Sequence, residues 1–303
     1  MNKIILIRLI ILLCVCMGTF DGYGQVKNRS AKRKVRNSYT AKKPDKLNEF
    51  LQTQWWLGLK TGINLTEAVP GTRYAVFSPL NYEASMLDKT YNSYNKVGMQ
   101  AGIEVTLYHK GFSFSLQPNF RRQRFGYDNQ YSWTNPEIAD QRLELDYTQE
   151  VSLDYIEIPF FIKYDILRNA KLRPFLQVGA YYGILSGAEK MIDVSGQDHA
   201  SGGVNEFQGE SLHIGAESLF LSSSAGVLGG AGVNYDLWKI RVVFDVVYRY
   251  GLHNISDTEN RFSNNSLSGM GDTMDDISMN NLSFNLGFLF PLRFISKNFN
   301  AIE

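Results

Sequence analysis

The stretch NNLSFNLGFLFPLRF, Asn280 to Phe294, alternates large apolar residues with small or polar ones. The apolar positions are Leu282, Phe284, Leu286, Phe288, Phe290, Leu292 and Phe294. Successive side chains of a β-strand point to opposite faces, so the stretch predicts a strand with one apolar face and one mostly polar face. An exposed edge strand of this kind invites aggregation in water, whereas a closed sheet in a bilayer has no edge and turns its apolar face to lipid. The stretch therefore predicts the last strand of a transmembrane β-barrel.

The same period of two recurs in seven earlier stretches. The predicted strands are residues 55–65, 97–107, 112–120, 151–164, 176–184, 225–235 and 238–250. In 151–164 the apolar phase reverses, which predicts a bulge near Tyr155. With the opening stretch the count is eight, so both ends of the barrel return to the same side of the membrane.

The connections between these strands alternate between short and long. Residues 109–111, 165–171 and 236–237 are predicted turns, and 66–96, 126–150, 186–218 and 253–279 are long and polar. Tight periplasmic turns and long external loops are typical of outer-membrane barrels. The predicted fold is all-β, an eight-stranded antiparallel up-and-down transmembrane β-barrel in the outer membrane. A soluble barrel such as a lipocalin would place its large residues inside, whereas here the small and charged residues share the inner face.

The N-terminus has the pattern of a secretory signal peptide. Lys3 and Arg8 flank an apolar run that ends before small residues such as Gly24, which predicts cleavage after residue 24. Both cysteines, Cys14 and Cys16, lie inside this segment, so neither a disulfide nor a thiolate metal site is expected in the mature chain. The predicted domains are a signal peptide (1–24), a basic segment (25–54) and the barrel (55–303).

The basic segment carries nine Lys or Arg against two acidic residues, Asp45 and Glu49. Such a charge block with few apolar residues predicts a disordered periplasmic segment. It is either a solvated tail or an arm, from Lys27 to Lys46, that binds anionic headgroups or an acidic protein partner. Nucleic acid is not an expected partner of an exported chain.

Several short motifs in order along the chain resemble one known family. They are GLKTGIN (58–64), YIEIP (155–159) with KY (163–164), PF (174–175) with GAYYG (179–183), GGAG (229–232) and YRYGLHNI (248–255). In these motifs the chain resembles the PorT-like outer-membrane β-barrel proteins of Bacteroidota. The resemblance implies the barrel fold and the outer-membrane location. Some members of that family look like accessories of protein secretion or gliding machinery.

The polar face of the predicted strands carries charges of both signs. The predicted lumen network comprises Glu104, Glu157, Lys163, Arg241, Asp245 and Arg249. An eight-stranded barrel is just wide enough for its own side chains, so these groups are expected to form ion pairs across a filled lumen. The alternative interpretation of the same residues is a conducting pore or a proton path.

Motifs of hydrolases, nucleotide-binding proteins and EF-hands are absent from the sequence. His253 follows the seventh predicted strand, and Asp272, Asp275 and Asp276 precede the eighth, so an outer-rim hydrolase remains an alternative. The function expected from the sequence is a non-enzymatic structural or interaction component of an envelope or protein-secretion assembly. Its expected partners are outer-membrane lipid and another envelope protein, and no cofactor or metal is predicted.

Overall fold

The computed structural model describes residues 53–74, 89–138, 140–167, 171–199, 203–237, 240–263 and 272–292. The strands are β1 (Thr53–Pro70), β2 (Thr90–Asn92), β3 (Val97–His109), β4 (Phe112–Leu116), β5 (Asn119–Thr134), β6 (Arg142–Asp165), β7 (Leu172–Asp198), β8 (Asn205–Gln208), β9 (Leu212–Gly215), β10 (Ser223–Leu237), β11 (Ile240–Gly251) and β12 (Ile277–Pro291). No helix in these ranges has the length and apolar composition that crossing a membrane requires. The predicted signal peptide (1–24) and most of the basic segment (25–54) lie outside the described residues. Thr53 and Gln54 of that segment already belong to β1.

Eight antiparallel strands of the barrel wall, which we call staves, close into a ring. β1 pairs with β12 and β3, and the circuit continues through β4 and β5, then β6, β7, β10 and β11 back to β12. β4 and β5 together form one stave, interrupted only at Gln117 and Pro118. At this break Gln117 N donates to Pro159 O (3.0 Å) and Ile103 N donates to Pro118 O (3.0 Å). Proline has no N–H for the ladder, so two prolines on adjacent strands account for the interruption. The predicted eight-stranded antiparallel barrel is confirmed.

The alternation in the last strand is also present in the structure. Leu286, Phe288 and Phe290 are exposed on the outer wall, whereas Asn281, Ser283 and Asn285 are buried in the lumen. The other staves repeat this pattern, with Leu59 on β1, Ile158 on β6 and Phe244 on β11 among the exposed residues. The outer wall therefore has an apolar band that meets lipid. Arg293 and Phe294 of the predicted strand lie outside the described residues.

The turn predicted at Asp236 and Leu237 is wrong. Both residues belong to β10, and Leu237 pairs directly with Ile240 at the start of β11. The connection therefore falls at residues 238–239, outside the described residues. The turn at the end of β3 agrees with the prediction, since Lys110 (φ 48°) and Gly111 (φ 94°) both adopt the left-handed conformation that a tight hairpin needs.

Two of the predicted external loops are largely β-strand. In place of a loop at 126–150, β5 continues to Thr134 and β6 begins at Arg142. In place of a loop at 186–218, β7 continues to Asp198 and is flanked by β8 and β9. In the other two regions β1 runs on to Pro70, β2 forms at Thr90–Asn92, and β12 begins at Ile277. The wall therefore rises well above the apolar band.

The bulge predicted near Tyr155 is found, but its cause differs from the prediction. Asp154 pairs with Gly187 and Tyr155 pairs with Leu185, so Ser186 on β7 has no partner across the ladder. The odd-numbered residues of β6 face inward on both sides of this point. What reverses on β6 is the location of the apolar side chains. Below the bulge they face lipid, and above it they fill the interior.

Candidate functional site in the barrel lumen

The inner end of the lumen holds a cluster built around two arginines. Arg241 Nε donates to Asp236 Oδ1 (2.8 Å), and Arg173 Nη2 donates to Asp236 Oδ2 (2.5 Å). The Arg241 guanidinium lies 3.9 Å from the centroid of Trp56, a favourable cation–π distance. Trp56 packs with Tyr108, Phe175, Val243 and Leu289 into a small apolar cluster.

The middle layer contains a chain of four charged groups. Lys163 Nζ donates to Glu104 Oε1 (2.6 Å), and Lys60 Nζ donates to Asp245 Oδ2 (2.5 Å). Lys60 Nζ also lies 3.8 Å from Glu104 Oε2, which joins the two pairs. All four side chains are at least nine-tenths buried. The charges therefore compensate each other in a region with little access to water.

The next layer is centred on Glu157. Arg249 Nη1 donates to Glu157 Oε2 (2.7 Å), and Arg121 Nε lies 3.7 Å from Glu157 Oε1. Arg121 is fully buried and also donates to Gln100 and Asn281. Its position between β3, β6 and β12 ties opposite walls of the barrel together.

All six residues of the predicted lumen network are buried and face inward. Two of the observed pairs join members of that set, Glu104 with Lys163 and Glu157 with Arg249. The partner of Asp245 is Lys60, which the prediction did not include although it occupies an inward position of the first strand. The partner of Arg241 is Asp236, which was predicted as a turn residue.

The space between these side chains is small. A cavity of about 20 Å³ lies beside Lys60, Gln117 and Arg249, room for about one water molecule. Gln177 is 2% exposed, and neither end of its amide has a hydrogen-bond partner among the described residues. Buried ion pairs therefore cross the described part of the lumen at the level of the lipid band.

Above the charged layers the interior becomes apolar. Phe125 and Tyr127 on β5 and Val151, Leu153 and Tyr155 on β6 pack together in the lumen, with Ile192 on β7 and Met279 on β12 beside them. This layer was not predicted, because its residues alternate with polar ones and belong in part to the predicted loop 126–150. The period of two in 151–155 was the available signal.

The segment Asp272–Asp276 lies over this apolar layer, and we call it the strap. Met274 is 1% exposed and packs into the layer, and the two flanking aspartates each bind a buried lysine. Lys190 Nζ donates to Asp272, and Lys89 Nζ donates to Asp275 Oδ1 (3.0 Å). The strap thus closes the outer side of the lumen.

Burial alone would raise the pKa of the Asp272 carboxyl, but the ammonium groups of Lys190 and Lys89 outweigh burial and lower it. The Tyr91 hydroxyl donates to Asp275 Oδ2 (2.9 Å), and its pKa is raised by burial and by that carboxylate. Asp272 is therefore charged, and the Tyr91 phenol neutral, at neutral pH.

The structure does not bring His253 together with the aspartates near strand eight. His253 Nε2 lies 3.3 Å from the carbonyl oxygen of Ser223. Asp272, Asp275 and Asp276 each bind a cation, namely Lys190, Lys89 and Arg261. In the described ranges no three His, Cys, Asp or Glu side chains converge on a point that could hold a metal ion.

Comparison with known proteins agrees with this architecture. A family model described as an outer membrane protein β-barrel domain matches residues 37–257. No curated protein sequence matches the chain. Among solved structures, neisserial surface protein A is 12% identical with a TM-score of 0.31, covering 76% of this chain and 95% of that one.

Two further structures are similar at this level. The attachment invasion locus protein Ail of Yersinia pestis is 12% identical with a TM-score of 0.27, covering 78% of this chain and 99% of that one. The outer membrane protease OmpT from Escherichia coli is 10% identical with a TM-score of 0.26, covering 79% and 95%. With the family model matching most of its length, the chain belongs to the outer membrane β-barrel domain family and is an integral protein of the outer membrane.

Proposed function

We propose that the protein is a non-enzymatic and non-conducting outer-membrane component that acts through protein partners. It has a PorT-like role in an envelope or protein-secretion assembly. The observation that supports this most directly is the set of buried ion pairs that crosses the lumen. Three layers of ion pairs lie at the level of the lipid, with an apolar layer and the strap above them. In such a barrel the lipid-facing wall and the two exposed ends are the surfaces that can bind partners.

The periplasmic end contributes the basic segment from Lys27 to Lys46. Its excess of positive charge is carried on the chain immediately before β1. An arm of this composition binds through Coulomb attraction, which physiological salt screens over about 8 Å. We propose an acidic periplasmic or outer-membrane protein as its partner.

Conductance separates this proposal from a pore. Purified protein in planar bilayers should give no stepwise current, because buried ion pairs cross the lumen and the cavity beside Lys60 has room for about one water. The double variant Arg121→Ser with Arg249→Ser removes the two largest cations of one layer and is the matched positive control. Stepwise current from the unmodified protein would overturn the non-conducting assignment.

Partner recovery tests the interaction role. Chemical crosslinking in native membranes, followed by purification of the barrel, should recover an envelope protein in a defined ratio to the chain. Recovery of lipid alone, from membranes in which a known complex is retained, would overturn the proposal.

A further inference from the structure

The upper part of the wall projects far beyond the lipid band. The last exposed apolar residues next to lipid are Ile156 on β6 and Ile184 on β7, yet β6 begins at Arg142 and β7 ends at Asp198. Each strand thus continues for fourteen residues, roughly 45 Å along the strand direction. Together with the upper half of β5 and with β8, these strands form what we call the projecting sheet.

The projecting sheet is strongly acidic. The β5–β6 hairpin above Gly126 carries Asp128, Glu137, Asp140, Glu144 and Asp146, against a single cation, Arg142. Arg142 is already paired with Glu144 (3.3 Å).

The far part of β7, together with β8 and the residues up to 210, adds more negative charge and contains no Lys or Arg. Residues 193–210 contribute Asp193, Asp198, Glu206 and Glu210, with His199 as the one titratable base. In these two stretches, 127–149 and 193–210, the acidic residues therefore outnumber Lys and Arg by eight. Such a field attracts cations and repels anionic surfaces.

One face of the same sheet is apolar at its far end. Trp133 pairs with Leu143, and Leu145 lies two residues along on the same face. Leu145 and Phe207 both pair with Gly196, one from each neighbouring strand. Their side chains meet above this glycine, and each lies 2.8 Å from the position that a Cβ on residue 196 would occupy. We call Trp133, Leu143, Leu145 and Phe207 the tip patch.

The tip patch continues the interior of the barrel into solvent. Lower on the same face, Tyr147 and Val194 pack against the apolar layer of the lumen. At the tip Trp133 remains 40% exposed and Phe207 remains 42% exposed. Large aromatic residues that are exposed amid charged ones are typical of protein interaction sites, where Trp is enriched among the residues that dominate affinity.

From these observations we propose that the projecting sheet is a docking surface for a basic protein outside the cell. Trp133 and Phe207 insert into its apolar surface, and the surrounding carboxylates attract its Lys and Arg side chains. The partner is a protein, because the acidic field opposes an anionic membrane or polysaccharide. This inference deepens the proposed function, and it rests on the interaction role proposed above.

The test places a photo-crosslinking residue at the tip patch. Trp133 and Phe207 are replaced singly in full-length protein in cells, and Ser132, on the opposite face of β5, is the matched control position. We expect protein adducts at 133 and 207, several-fold above the yield at 132. Raising the salt until the screening length falls from about 8 Å to about 3 Å should lower the yield at 133 and 207 severalfold.

A charge variant gives the second arm. Glu137→Gln with Glu206→Gln neutralises two exposed residues of the projecting sheet, and Glu217→Gln with Glu259→Gln makes the same change of charge outside it. Only the first pair should reduce the adduct yield. In lipid nanodiscs, a soluble peptide of Lys, Trp and Ser should bind the unmodified protein more tightly than its counterpart with Glu in place of Lys.

Adducts to lipid, to carbohydrate or within the same chain would overturn the docking surface. So would a yield that is insensitive to salt and to the charge variant. If native membranes yield a crosslinked partner but positions 133 and 207 yield no adduct, the docking surface is wrong and the proposed function stands. Stepwise conductance would overturn the proposed function whatever the adducts show.

Discussion

Glu104 is the residue whose replacement should disturb the lumen most. Its carboxylate is fully buried and accepts hydrogen bonds from Lys163 (2.6 Å), Thr106 (2.8 Å) and Ser115 (3.0 Å), with Lys60 at 3.8 Å. Glu104→Gln keeps the size of the side chain and removes its charge. Among the described residues Lys163 then has no carboxylate within 4 Å, whereas Lys60 keeps Asp245. Breaking a buried pair in this way costs about 3–5 kcal/mol of unfolding free energy.

Removing the other charge of this pair should cost less unfolding free energy. In Lys163→Met, Glu104 keeps Thr106, Ser115 and the more distant Lys60, so the loss should lie near the lower end of about 3–5 kcal/mol. The double variant removes both charges together. Its cost should fall below the sum of the single costs by about 2–3 kcal/mol, since coupled buried groups are not additive.

The assay is a denaturant titration of the barrel in lipid vesicles, followed by its heat-modifiable mobility on gels. Gln177→Met is the matched control, because Gln177 is buried on β7 opposite Lys163 and its amide has no hydrogen-bond partner in the part of the chain that the structure describes. This change should be neutral or stabilising. Additivity of Glu104→Gln and Lys163→Met within about 0.5 kcal/mol would refute the pairing of the two residues.

Phe244→Arg, on the lipid face, should destabilise the barrel by about 2–4 kcal/mol in the same titration. Arg241→Ala removes a lumen pair and should cost about 1–3 kcal/mol. If the barrel tolerated Phe244→Arg without loss of stability, the faces would be assigned wrongly. The pKa of Asp272 is lowered, so its contribution to stability is present above the unfolded pKa of about 3.9 and is lost as the pH falls through the folded value. Asp272→Asn should therefore be less stable than the unmodified protein at neutral pH, and it should lose less stability between neutral and acid pH. If the stability of both proteins fell equally with pH, the Asp272–Lys190 pair would be contradicted. Deleting Lys27 to Lys46 should leave folding unchanged and weaken partner recovery at low salt, and a deletion that abolishes folding would assign the segment to the barrel itself.

The lipid-facing half of the fold was predictable from the sequence, because lipid imposes one rule on every stave. Large apolar residues such as Phe288 face out at every second position, and polar ones such as Asn285 face in. The upper half was not predictable in the same way. Leu153 and Tyr155 keep the period of two and belong to the predicted strand 151–164, but Tyr127 stands between Gly126 and Asp128 and fell within the predicted loop 126–150.

The candidate site was predictable residue by residue but not pair by pair. Glu104, Lys163 and Asp245 stand at inward positions, and this could be deduced from alternation alone. Their pairing depends on the stagger of the staves, which decides that Asp245 meets Lys60. The alternation of residues along a strand shows whether a side chain faces the lumen or the lipid. Only the register between neighbouring strands shows at which level of the barrel it lies.

At the level of Ser186, the apolar side chains of β6 change from the lipid-facing side to the interior, and this change fixes how deeply the protein lies in the membrane. Above that level the outer wall carries charge, including Arg122 held by Asp154, and charged groups on a lipid-facing wall are costly near the bilayer midplane. Sinking would bring these groups into hydrocarbon, and rising would expose Ile156 and Ile184 to water, so either displacement raises the free energy. A thinner or thicker bilayer must therefore deform around the barrel rather than shift it. The vertical position of the protein, and with it the reach of its hairpins into the medium, is encoded in the register of two neighbouring strands.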